Sequence, residues 1–232
     1  TANYAMQDFI TLGQSGVGSD FTGTIAVVDG VNYPRSGLPV SFWWDQGSTH
    51  TFSFQSPLVV TPDAKQYAWS STSGLSNQQS ESTTLTTYGS ITGNYNAQYK
   101  LSVTSPFGSP NPISGWFNSG TSITASITSP APGPTGTQYV CTGWTGSGSV
   151  PASGTGSSVT FTLTSPSTIT WTWKTQYYLT VRTLPSGVAA IAGQGWYDAS
   201  TSVPLSAPPA PGYNFQYWDV DGNAQGANVT SI

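Results

Sequence analysis

The chain has 232 residues and a net charge of -4, and only 6% of them are Asp, Glu, Lys or Arg, against about 25% in an ordinary soluble domain. Five basic residues leave no surface able to neutralise phosphates, which excludes nucleic acid as a partner. No apolar run nears the roughly 20 residues that cross a bilayer, so no membrane insertion is expected within this segment. With 13% aromatic and 36% hydrophobic residues the composition is not that of a disordered chain.

Read in order, the chain repeats itself. Thr1-Ala2-Asn3-Tyr4 matches Thr92-Gly93-Asn94-Tyr95, so residues 1–5 read as the closing strand of a preceding or neighbouring module. Residues 6–95 read as a divergent β module. It carries Phe42-Trp43-Trp44-Asp45-Gln46-Gly47, then a strand-like run to Pro57, an aromatic landmark at Trp69 and a closing strand over 89–95. Residues 96–175 read as a β repeat module. It opens on Gln98-Tyr99-Lys100-Leu101-Ser102-Val103 and continues through Gly115-Trp116-Phe117-Asn118, a run ending at Pro130, Trp144 and a closing strand over 167–173. Residues 176–232 repeat the opening as Gln176-Tyr177-Tyr178-Leu179-Thr180-Val181. Gly195-Trp196-Tyr197-Asp198 and Trp218 follow, and Ile232 is reached before a counterpart of the closing strand.

Inside these runs the period is 2. Val159, Phe161 and Leu163 alternate with Ser158, Thr160 and Thr162, and Ile169, Trp171 and Trp173 alternate with threonines. These two triplets are expected to share one core. No segment of a dozen residues has a helical period, and 26 glycines and 17 prolines punctuate the chain as turns do. The fold class expected is all-β, as three tandem β-sandwich-like or β-grasp-like modules in a rod.

The order Tyr-x-Leu-x-Val, Gly-Trp-aromatic, strand, Trp landmark, closing strand resembles the bacterial and archaeal cell-surface repeats similar to internalin B repeats. The resemblance covers 98–232 well and is weak before residue 95, where 13–36 has no match. It implies compact β modules in series in a secreted or cell-surface protein, with roles in adhesion, surface layers or filaments, and no catalytic residues to carry over.

The residues themselves point the same way. His50, the one histidine, aligns with the apolar positions Ile123 and Val203 and reads as packed or at a module edge. Zinc sites need several His or Cys ligands, and the chain has one of each. Cys141 aligns with Phe215 and reads as a buried small hydrophobe; alone, it makes no internal disulfide. Asp219-Val220-Asp221-Gly222-Asn223 could open a calcium loop. Thr230 stands where the bidentate Glu belongs, and Asp-Gly also marks a hairpin turn. No catalytic residue, no metal ligand and no cofactor is expected. Trp116, Trp144, Trp196 and Trp218 recur at repeat landmarks and read as core or inter-module packing. Trp44 and Trp69, in the divergent repeat, read as the exposed pair able to stack on glycans. Asn228 heads an Asn-Val-Thr glycosylation triplet.

The function expected is structural: a subunit or segment of a cell-surface filament or surface layer. Its partner would be a further copy of itself or adjacent repeats, with Thr1, Ala2, Asn3 and Tyr4 filling the closing-strand position of a neighbour. The alternative is an adhesin that binds surface glycans through exposed aromatics.

Overall fold

A computed structural model describes residues 1–225, and within them every regular element longer than one 3-10 turn is a β-strand. In chain order the strands are β1 (Gln7–Ser15), β2 (Thr24–Val28), β3 (Val31–Pro34), β4 (Val40–Asp45), β5 (Thr49–Phe54), β6 (Leu58–Thr61), β7 (Lys65–Gly74), β8 (Ser80–Thr84) and β9 (Gly89–Thr104). They continue with β10 (Gly115–Asn118), β11 (Thr121–Ser126), β12 (Ala131–Pro132), β13 (Thr137–Ser147), β14 (Ser153–Thr155), β15 (Ser158–Leu163) and β16 (Ser167–Leu179). The last are β17 (Gly195–Asp198), β18 (Trp218–Val220) and β19 (Asn223–Gln225). The chain is all-β, as its alternation and turn residues predict.

Two strands organise everything else. β9 carries no proline, and its odd-numbered residues face inward along its whole length. Ile91 and Tyr95 enter a first hydrophobic core, and Leu101 enters a second. The first half of β9 lies between β7, antiparallel, and β1, parallel; its second half pairs antiparallel with β10 and parallel with β16. β16 does the same one step on. Its first half is flanked by β13 and β9, and its second half pairs with β17. The chain therefore closes one repeat and opens the next on a single unbroken strand, and an 11-stranded sheet runs through all three repeats. The boundaries expected at 95/96 and 175/176 fall inside β9 and β16.

Each of the first two repeats adds a smaller sheet to this long one. β11 and β15 supply it in the second repeat, and Ile123, Ala125, Phe161 and Leu163 meet Leu101, Trp144, Ile169 and Trp171 in one core. The two triplets expected to pack together do so, and Trp171 is 2% exposed. In the first repeat β5 and β8 play this part, and residues 13–36, which match nothing in the other repeats, contribute the hairpin β2–β3 beside β5. Gly93 occupies the register of Trp171. A Cβ there would stand 2.5 Å from the Phe54 ring, so Phe54 takes the room that the indole fills in the second repeat.

The register also moves one landmark. Trp69 lies opposite Tyr95, and Cys141 lies opposite Trp173, each followed by a bulge. Trp69 thus stands where Cys141 stands, and the structural counterpart of Trp144 is Thr72.

The third repeat is built only in part among the described residues. Its opening hairpin, β16 with β17, is formed, and β18–β19 reproduces β13–β14, with Trp218 opposite Gln225 as Trp144 is opposite Gly154. No third hydrophobic cluster forms among the described residues. Leu184, Tyr213 and Tyr217 are exposed, as is Tyr177, whose counterpart Tyr99 packs against the second core.

Candidate functional site

The opening hairpins give a common frame. Gln7 faces Asp45, Gln98 faces Asn118 and Gln176 faces Asp198, and each Gln Nε2 donates to the partner's Oδ1 at 2.9, 3.0 and 2.8 Å. These three rungs align residues 1–6 with 92–97 and with 170–175, so the match between Thr1-Ala2-Asn3-Tyr4 and Thr92-Gly93-Asn94-Tyr95 holds in structural register. The outcome differs. Residues 92–97 and 170–175 are central strand, whereas residues 1–6 are exposed, belong to no strand, and leave Tyr4 93% exposed. Among the described residues, one backbone bond ties them to the fold, from the Gln46 amide to the Met6 carbonyl. Where this arm meets the first repeat, Asp8 is buried opposite Trp44, and its Oδ2 has no hydrogen-bond partner.

Next to each Gln-Asx rung, on the face turned away from the cores, stands a tryptophan. Phe9 and Trp43 lie with ring centroids 4.8 Å apart, the Lys100 Nζ sits 5.5 Å from the Trp116 ring centre, and Tyr178 meets the Trp196 edge at 5.1 Å. Trp43 is 64% exposed and Trp196 40% exposed. The recurrent Trp116 and Trp196, expected in core or inter-module packing, face away from both cores, while Trp144 and Trp218 are buried. At the third hairpin the Lys174 Nζ, 2.8 Å from Oδ2, and the Gln176 amide hold the Asp198 carboxyl below the usual carboxylate range.

The expected stacking pair needs correction. Trp44 is 7% exposed, because it shares the inward phase of Ile10 and Leu12; Phe42 stacks on it at 5.2 Å and His50 at 3.9 Å, leaving no ring face for a sugar. Trp69 is half-buried against the first core, and its Nε1 donates to Thr72 Oγ1 at 3.1 Å. Asn228 lies outside the described residues.

His50 is packed at an edge, on the inward face with Phe52 and Phe54, but it also completes a chain of polar contacts. Its Nδ1 is 2.7 Å from Asp29 Oδ2 and its Nε2 is 2.9 Å from Ser48 Oγ. Burial raises the Asp29 carboxyl, yet the Thr51 amide at 2.8 Å and His50 outweigh it and hold the group below its ordinary value. The order Asp-His-Ser is that of a hydrolytic triad, but the surroundings differ. Ser48 Oγ lies 2.6 Å from the Asp45 carbonyl and donates to it, so its proton is already committed. The amides of Gln46, Gly47 and Ser48 all donate to backbone carbonyls, leaving none on this turn to stabilise an oxyanion. The cluster clasps the β2–β3 turn to the β4–β5 turn.

Cys141 is half-buried, and burial pushes its thiol up, away from the thiolate. Asp221 and Gly222 adopt positive φ between β18 and β19, and Asp219 Oδ1 accepts from the Gly222 amide, so the acidic stretch is a hairpin turn. Among the described residues no three His, Cys, Asp or Glu side chains gather as metal ligands, and no helix is long and apolar enough to cross a membrane.

A scan against protein-family models finds no match, and searches of curated proteins and of solved structures find none either.

Proposed function

We propose that this chain is an extracellular structural protein of three serial β modules in a rod, whose copies join head to tail as part of a surface filament or surface layer. The observation that carries the reading is the register of residues 1–6. They precede Gln7 as 92–97 precede Gln98 and 170–175 precede Gln176, but they have no partner strands among the described residues. The complementary position is in the third repeat, where no described strand lies between the second half of β16 and β18. In the first two repeats that position is central. Its occupant hydrogen-bonds a neighbour on each edge and sends Ile91 and Tyr95, or Ile169 and Trp171, into the core. Strand addition by the arm of a second copy would supply backbone partners and Tyr4 together. The contact is heterologous, so it propagates as a filament unless it closes into a ring. No catalytic role is assigned.

Electron microscopy and light scattering on the full chain, and on a chain lacking residues 1–6, test this. The full chain is expected to form filaments, and the shortened chain to stay monomeric until a peptide of residues 1–7 is added, which fills the slot without extending the polymer. Filaments from the shortened chain would overturn the reading.

A further inference from the structure

The outward face of the long sheet is almost wholly Ser, Thr, Asn and Gln. On β9 it shows Ser90, Thr92, Asn94, Asn96, Gln98, Lys100, Ser102 and Thr104, and on β16 Thr168, Thr170, Thr172 and Lys174. Against this background the three outward tryptophans are islands. Each sits in the same rung of its repeat, beside the hydrogen-bonded Gln-Asx pair. Each has a different cross-strand neighbour: Phe9, Lys100 or Tyr178. The indole persists where its neighbour changes from aromatic to cationic, so the neighbour's chemistry does not set the choice of Trp. Nor does core packing, since these rings point away from both cores.

We infer that Trp43, Trp116 and Trp196 form a row of binding sites for an uncharged polysaccharide, one sugar ring stacking on each indole. A pyranose offers a face of C–H bonds to a flat apolar ring and a rim of hydroxyls that need donors and acceptors. The indole supplies the first. The Gln7–Asp45, Gln98–Asn118 and Gln176–Asp198 rungs supply the second: Gln98 and Gln176 also accept from Gln66 and Gln138, and Asp198 from Lys174, but each amide keeps a second N–H and each oxygen a second lone pair. The size of each site selects this occupant over a protein. A stable protein interface covers about 800 Å² per partner with an apolar centre, and an indole with its one cross-strand neighbour, Phe9, Lys100 or Tyr178, amid polar side chains is far smaller. The charges on the face differ from site to site, Asp45 at the first, Lys100 at the second and the Lys174–Asp198 pair at the third, so no one sign repeats along the row, which selects a neutral chain over an acidic or basic one.

Geometry makes the row a ruler. Ile10 pairs with Gly89, Leu101 lies twelve residues farther along β9, and Leu101 in turn pairs with Ser167, twelve residues before Leu179 on β16. Twelve strand residues span about 40 Å, so a polymer able to reach two rungs gains avidity over a short oligomer. This proposal does not depend on head-to-tail assembly, and a chain that never polymerises would still carry the row.

The test is binding of cellohexaose, mannohexaose and chitohexaose, and of soluble hydroxyethyl cellulose and mannan, to the full-length chain. It is followed by tryptophan fluorescence and calorimetry beside the triple variant W43A/W116A/W196A. Because these rings face outward, the variant is expected to keep its circular dichroism and melt near the parent. Saturable binding of at least one neutral sugar is expected, with affinity falling more than about tenfold in the variant. Should all five probes fail to bind the parent, or should the variant bind as tightly as the parent, the proposal is overturned. It is equally overturned if the substitutions abolish side-to-side association of copies while no sugar binds, which would make the row a protein contact.

Discussion

The second and third repeats begin alike and end differently. Both open on a Gln-led strand paired with a Trp-bearing one, and both carry a buried Trp in a short hairpin, Trp144 in β13–β14 and Trp218 in β18–β19. In the second repeat the first half of β16 lies between β13 and β9 and joins the two pieces, and a core forms around Trp171. In the third, no described strand takes that place, the pieces stay apart, and Tyr177, Tyr213 and Tyr217 remain exposed. The last strand in chain order is thus the central strand in space. A repeat assembled this way gains little from its earlier strands until the closing one arrives, because the partners on both of its edges wait for it.

The largest effect that would break this contrast comes from Trp171→Ala. Truncating a fully buried indole is expected to cost about 3–5 kcal/mol, read by denaturant unfolding, and to push the second repeat toward the openness of the third. Gly93→Ala probes the same register from the other side. The added methyl would collide with the Phe54 ring and is expected to cost about 1–3 kcal/mol, whereas a glycine-to-alanine change at the open Gly30 turn should act only through its positive φ. Asp8→Leu sharpens the comparison of opening strands. Asp8 occupies the inward position held by Tyr99 and Tyr177, with a buried oxygen unpaired, so removal is expected to raise stability by about 1 kcal/mol.

The smallest effect is that of pH. Lys65 Nζ lies 2.6 Å from Asp20 Oδ2, holding the Asp20 carboxyl below 3.8, and Asp20 in turn raises Lys65 from 10.5 to about 12. The depressed acid contributes stability above its unfolded value, which is lost as pH falls through the folded one. The raised base contributes stability below 10.5, which is lost as pH climbs through about 12. Both groups are partly exposed, so each loss is small. Melting temperatures are expected to be nearly flat between about pH 4 and about pH 10. A steep slope within that window would show that other groups dominate.

Where alternation was clean, the sequence was legible. Val159-Phe161-Leu163 and Ile169-Trp171-Trp173 each had one apolar phase, and a period of 2 assigns such a strand to its faces without ambiguity. Phe42-Trp43-Trp44 had no phase of its own. Three aromatics in a row fit either face, and only pairing with β1, whose Ile10 and Leu12 point inward, turns Trp44 in and Trp43 out. Trp116 and Trp196 recur at the same point of their repeats and yet face away from the cores. Recurrence marks a shared position, and the face is set by the phase of Leu101 and Leu179. Trp69 and Trp144 share a residue type but not a register: the same bulge follows Trp69 and Cys141, and Thr72 is the residue that pairs as Trp144 does. The Asp29-His50-Ser48 clasp joins residues from separate turns, and nothing local announces it.

The unbroken strands carry one more consequence. β1 and β9 run parallel, as do β9 and β16, so a pull that draws the start of β1 away from the end of β9 slides the two strands along their common axis. The hydrogen bonds from Ile10–Gly89 to Ser15–Asn94 are then loaded together in shear, not unzipped singly from one end. Because each such strand continues covalently into the next repeat, tension passes from one sheared seam to the next along backbone, without crossing a flexible linker.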